Sequence, residues 1–195
     1  LSTQPVHVWG MGEHSNEKIM SNDESQTVKS CDSCSVCCVS LRIDYEGLKK
    51  LPDVPCQHIK PGGGCNIYHE RPQGCRNWSC GWLKLPDLHE KWRPDKSGFL
   101  IRLDGNILIF QATSNVGHSR FWSREFLTEA FDLLSKGYDL GISIPTKKGF
   151  TNHLTHLTPR LTQFVESDDF RGAEMAMRGV IFHAKHAKTD KEKPI

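Results

Sequence analysis

All eight cysteines of this chain fall between Cys31 and Cys80. They open as Cys31-Asp-Ser-Cys34-Ser-Val-Cys37-Cys38 and continue with Cys56, Cys65, Cys75 and Cys80. Thiols this crowded pair poorly with one another, because a disulfide needs Cα atoms roughly 4.4–6.8 Å apart and a defined torsion. Thiolates converging on an ion or cluster tolerate the crowding, and thiolate suits soft and borderline metals. The spacing therefore points to a cysteine-ligated metal centre. Any of the eight can serve as a ligand, and since four suffice for one centre, the others can hold a second ion.

Two familiar arrangements fit badly. Cys31-x-x-Cys34-x-x-Cys37 starts like a bacterial ferredoxin run, but the ferredoxin's next cysteine lies four residues on and precedes Pro, whereas here Cys38 is adjacent and Val39 follows. Zinc ribbons bring two Cys-x-x-Cys knuckles to one ion, and only one such region exists here. A zinc site would have to draw its remaining ligands from irregular loops. His58 and His69 lie among the cysteines and are read as surface or supporting residues before ligands. The missing second knuckle and the cysteine-rich ligand set lean toward a 4Fe–4S cluster over zinc, and the resemblance that follows adds a precedent.

The motifs carry a resemblance. Cys31-x-x-Cys34-x-x-Cys37-Cys38, Cys56-Gln-His58-Ile, Gly64-Cys65-Asn-Ile67-Tyr68, Arg71-Pro72-x-x-Cys75-Arg76, Cys80 and Arg93-Pro94-Asp95-Lys96-Ser97-Gly98 resemble the CxxCxxCC family of zinc- or iron-chelating proteins, the YkgJ-like cysteine cluster proteins. The resemblance covers roughly residues 31 to 110. The family includes flagellin lysine N-methylases, for which a 4Fe–4S cluster and S-adenosylmethionine dependence are known, so it implies a metal centre and leaves methyl transfer as an alternative. Against an enzyme, no Gly-rich strand-to-helix turn or ribose-holding acid is identifiable, and the Cys-x-x-x-Cys-x-x-Cys loop of radical enzymes is absent. No catalytic constellation stands out beyond the cysteines. The leading reading is a redox or structural accessory module acting on a protein partner.

Around the thiols, Lys60, Arg71 and Arg76 could offset the negative charge of a thiolate-bound metal. Tyr68, Trp78 and Trp82 read as core, with shielding of the site from water as the alternative. The pairs His153-x-x-His156 and His183-x-x-His186 would each share one helical face, but lack a third ligand and read as solvated. No Walker loop, Gly-x-Ser-x-Gly elbow or dinucleotide fingerprint occurs.

The elements that must position these residues are an α+β set: a small irregular cysteine-rich lobe (31–80), then a β-hairpin or small antiparallel sheet packed with several helices (98–195), together one domain over 31–195. Within the lobe, Val39–Ile43 alternates like a strand, and Asp44 can cap a helix reaching Leu51 before Pro52. Gly62-Gly63-Gly64 reads as a turn approaching the metal. Phe99–Leu103 and Ile107–Phe110 about Asp104-Gly105-Asn106 form a hairpin. Ser119–Lys136 is an amphipathic helix with Trp122, Phe126, Ala130, Phe131 and Leu134 on one face, capped by Gly137. Leu140–Ile144 reads as a strand, Thr158-Pro159 opens a helix, and Asp168 or Asp169 to about Lys185 forms the last. Lys185–Lys193 reads as a solvated tail. Residues 1–30 are polar and aperiodic, either a flexible arm or, up to Ile19, an extension ahead of Met20.

The net charge of +2, from 25 basic and 23 acidic residues, supplies no field for nucleic acid or anionic membrane. A zinc-stabilised nucleic-acid or protein interaction module is kept as an alternative, although the basic residues Arg71, Arg76, Lys84 and Arg93 form no run. No apolar leader or spanning segment is evident, so the chain is expected in the cytoplasm, without membrane contact, where clustered thiols stay reduced.

Overall fold

The computed structural model describes residues 29–86, 88–113 and 117–195. Of the arm expected over residues 1–30, residues 1–28 lie outside them, while its end is held: the Lys29 ammonium donates to the carbonyls of Trp82, Leu85 and Leu88. The architecture is α+β, as expected. A four-stranded sheet in the order β3-β4-β5-β6 is built from β3 (Phe99–Asp104), β4 (Ile107–Ala112), β5 (Asp139–Ile144) and β6 (His153–His156). A separate two-stranded ribbon, β1 (Ile43–Tyr45) and β2 (Leu48–Lys50), lies in the cysteine region.

The hairpin forms where expected, Asp104 pairing with Ile107 across Gly105-Asn106. The sheet is not wholly antiparallel, however: β5 lies parallel to β4. Parallel neighbours need a crossover, and α5 (Arg124–Ser135) between the two strands supplies it. Sheet strands covered on both faces should read as continuous apolar runs, and Leu108–Phe110 and Leu140–Ile144 are buried throughout. The helices α5, α6 (Thr158–Glu166) and α7 (Phe170–His186) pack on one another and against β5, α7 also reaching β6.

The expected helix 119–136 is interrupted. A 3₁₀ turn spans His118–Trp122, and α5 starts afresh because Ser123 Oγ accepts from Phe126 N–H at 3.2 Å, a side-chain cap that defines a new helix start. Phe126, Ala130 and Phe131 face the core as read, together with Leu127 and Leu133, while Trp122 and Leu134 are half-buried. The centre of the core is aromatic. Phe99 lies 4.7 Å from Phe121 and 5.6 Å from Phe126, and Phe110 lies 5.3 Å from Phe126, ring centre to ring centre. Trp92 joins them and donates its indole N–H to Glu129 at 2.5 Å.

Four local expectations are corrected. Val36–Ser40 is a helix, α1, and the strand begins only at Ile43. The helix expected from Asp44 to Leu51 is the β1–β2 hairpin: Tyr45 pairs with Leu48 across Glu46-Gly47, and Gly47 takes the positive φ of +82° that this turn requires. Asp44 pairs with Arg42 and Lys49 instead of capping a helix. His153 and His156 lie on strand β6, where an odd spacing puts them on opposite faces. The tail is tied down: Phe150 bridges Lys191, Glu192 N–H donates to Gly149 O, and Arg42 donates to the carbonyls of Lys193 and Pro194. As read, His183 and His186 are exposed on α7. Among the described residues, no helix is long and apolar enough to cross a membrane.

Candidate metal centre

The cysteines are carried on short pieces joined by specific bonds. Cys34 N–H donates to Cys31 O at 2.7 Å, closing a tight turn ahead of α1. Cys37 and Cys38 are consecutive on α1, so their side chains leave the helix about 100° apart. After the ribbon, Cys56 N–H donates to Cys38 O at 3.0 Å, and Ile59 bridges Cys65. Between them, Gly63 lies against the first cysteine turn: a Cβ there would stand 2.1 Å from Ser33 O, and one at Gly64 2.5 Å from Asp32 O. Only glycine permits this contact of two backbones, which fixes the Cys65 loop on the Cys31–Cys34 loop. Cys75 sits on α2 (Gln73–Asn77), and Cys80 immediately precedes α3 (Gly81–Lys84). The Cys80 thiol lies 3.6 Å from Ile101 O, and Gly81 rests on Ile101, so Cys80 is held against β3.

All eight cysteines are unpaired, and all line one cavity of about 330 Å³. Its wall also holds Tyr68, Arg71, Arg76, Trp78, His58, Arg42 and Arg102. A second cavity of about 20 Å³ adjoins it, lined by Cys31, Cys34, Cys37 and Cys80 with Trp78, Trp82 and Arg93. Burial raises the thiol pKa of Cys31, Cys34, Cys75 and Cys80, the last to about 11. Cys37 and Cys38 are 3.9 Å apart, sulfur to sulfur. A hydrogen bond shared with Cys38 raises Cys37; the same bond, with Lys50 and Arg71 nearby, lowers Cys38.

The expected supporting residues divide. Arg71 is at the site: its charge acts on Cys31, Cys38 and Cys75, and its guanidinium lies 3.8 Å over the Tyr68 ring. Arg76 lines the cavity but is exposed. Lys60 lies outside the lining, its backbone serving the glycine turn. Trp82 is core, Trp78 is half-buried between the two cavities, and Tyr68 is exposed rather than core, lining the larger cavity with Cys31. His58 lines the cavity, while His69 is exposed and packs edge-on to Tyr68.

Two cations, Lys50 and Arg102, escaped the sequence reading, and a third, Arg93, has a role it did not assign. Lys50 is buried on β2, its ammonium donating to the carbonyls of Val39, Leu41 and Leu51 and facing Cys38 and Cys56. Arg93 donates to Cys31 O and Ser33 Oγ, holding the first turn to the core. Arg102, on β3, lines the cavity with a buried Nε that has no hydrogen-bond partner. A lysine two residues from a strand turn gives no sequence signal, and Arg93 was read within the Arg93–Gly98 motif and as one of the scattered basic residues, not as a tie to the first cysteine turn.

The donor set is of the kind a thiolate-ligated centre uses: eight sulfurs, with Arg42, Arg71, Arg76 and Arg102 in the wall, Lys50 beside it, and the Arg102 Nε–H left without a partner. The fit to a single ion is poorer. Among the described residues, no three His, Cys, Asp or Glu side chains gather closely enough to hold one metal ion. Compared with known proteins, the chain matches no family model, no curated protein and no solved structure.

Proposed function

We propose that this protein holds a cysteine-ligated metal centre, a 4Fe–4S cluster before zinc, and serves as a redox or structural accessory module to a protein partner. The observation that carries the reading is the convergence of all eight thiols on one cavity of about 330 Å³. Sequence spacing does not require this, since Cys31 and Cys80 lie on different elements. A cavity of that volume falls at the lower end of the roughly 300–1,000 Å³ typical of ligand sites, more space than one ion needs. Tetrahedral zinc at about 2.3 Å per bond would draw four sulfurs to within about 3.8 Å of one another, whereas a cluster spreads its thiolates over separate iron atoms.

Arg71, Lys50, Arg93 and Arg102 would offset the negative charge of such a centre, and their hydrogen bonds and burial would tune it. When bound, the cluster would supply one-electron chemistry. The resemblance to the CxxCxxCC family supports the same reading. The test is anaerobic purification followed by visible absorption and elemental analysis. A brown protein with iron and acid-labile sulfide is expected; a colourless one carrying about one or two zinc ions per chain would replace the cluster with zinc.

A further inference from the structure

We infer that the eight cysteines form two separate four-thiolate centres, Cys31, Cys34, Cys37 and Cys80 making one and Cys38, Cys56, Cys65 and Cys75 the other. The inference rests on the metal-centre reading above and assigns its ligands. Two geometric observations carry the division: the cavities sort all eight cysteines, and packing sorts the five it reaches in the same way.

The first is the cavities. Cys31, Cys34, Cys37 and Cys80 line both, whereas the other four line only the larger one. The second is packing. Cys80 belongs to the main hydrophobic core and Cys37 packs against it. Cys56 belongs to a separate small core with Ile43 and Leu48, against which Cys38 and Cys75 pack.

The backbone explains the division. One quartet is the turn Cys31–Cys34 with the first face of α1, closed by Cys80 on the element that rests on β3. The other is held by the Cys38–Cys56 backbone bond, the Ile59–Cys65 bridge and α2. The adjacent pair Cys37-Cys38 is where they meet. With 3.6 residues per turn, consecutive helix positions point in different directions, so one dipeptide serves two centres. Cys38 also acts on Cys31, which places the quartets side by side rather than far apart. Arg93 bonds the Cys31 turn, Lys50 faces Cys56 and Cys38 first, and Arg71 stands between the quartets, its charge acting on Cys31, Cys38 and Cys75.

The test uses the full chain, loaded anaerobically with ferrous iron and sulfide or with Zn²⁺ alone. Isotope-coded alkylation and mass spectrometry then follow each thiol during slow chelation. All eight should be protected at the start and should become labelled in two groups of four, divided as above. Two 4Fe–4S clusters would also give about eight iron atoms per chain. Cys34→Ser and Cys65→Ser should each retain about half the metal, Cys31→Ser/Cys34→Ser no less than Cys34→Ser alone, and Cys34→Ser/Cys65→Ser none. Should a variant unfold, the labelling of the unaltered chain still decides. Protection of only four thiols, labelling of all eight as one group, or a different division overturns the two-centre assignment while leaving metal binding intact. An unaltered chain that takes up neither iron nor zinc overturns both.

Discussion

Gly63→Ala tests whether the contact between two backbones holds the cysteine loops together. Gly63 has φ +99° and would place a Cβ 2.1 Å from Ser33 O, a main-chain atom that cannot rotate aside. Gly62 is the internal control, because it has φ +84° but nothing within 4 Å of the point a Cβ would occupy. Both substitutions carry the left-handed penalty of about 1–2 kcal/mol, partly offset by the reduced freedom of alanine in the unfolded chain. Gly63→Ala must in addition separate two backbones by over an ångström, for which overpacking costs of about 1–3 kcal/mol are the guide. Stability should therefore fall by about 1 kcal/mol for Gly62→Ala and by about 2–4 kcal/mol for Gly63→Ala, or roughly 2–4 °C and 5–15 °C in Tm. Urea unfolding of the metal-free chain measures the first effect. Metal content measures the second, and it should fall only for Gly63→Ala, because only that change pushes the loop carrying Cys65 off its support at Ser33 and so displaces Cys65 from its place beside Cys38, Cys56 and Cys75. Equal losses of stability and metal for the two variants would refute the contact as the cause.

Two further outcomes follow from the core and from its junction with the lobe. Burial raises the pKa of Glu129, which accepts from the Trp92 indole. Its contribution to stability is thus full below the unfolded value of about 4.3 and lost as pH rises through the higher folded value. Glu129→Gln keeps an acceptor without the charge, so it should raise Tm at pH 7 and give no gain at pH 4, by thermal unfolding; an equal shift at both pH values would show that charge burial is not the cause. Arg93 ties the Cys31 turn to the core and Gly81 seats Cys80 on β3, so chelation should lower the Tm of the whole described chain in one transition. Two transitions by calorimetry, only one of them metal-sensitive, would show that the lobe and the sheet unfold independently.

What the sequence made legible was whatever local chemistry dictates. The Asp104–Asn106 turn between two apolar runs could hardly be anything but a hairpin, and α7 showed its Asp169 cap and basic end. Elsewhere two local signals competed. Asp44 is a good helix cap and Gly47 a good hairpin turn, and pairing of Ile43 with Lys50, with Ile43 and Leu48 buried beside Cys56, decided for the strand. His153 and His156 lie in a segment whose strand conformation comes from pairing with β5, not from its own pattern. At the site, density alone nominated the cysteines as a pool. Their division was not legible, because it depends on which side of α1 each of two neighbouring residues faces, and on a long-range contact between Cys80 and Ile101.

The strand order also bears on how the chain reaches this arrangement. β3 and β4 are joined by two residues, so their pairing closes a very short loop, whereas β5 can join β4 only after the intervening stretch that contains α5 has crossed over. Chain entropy thus favours the hairpin as the earlier event and leaves the parallel pairing and the docking of α6 and α7 for later. The lobe rests on β3, the strand that needs least of the later chain to form. Ile101, which receives both Gly81 and the Cys80 thiol, thus belongs to the pairing with the lowest closure cost, so the platform for the cysteines can precede the helices that complete the other side of the molecule.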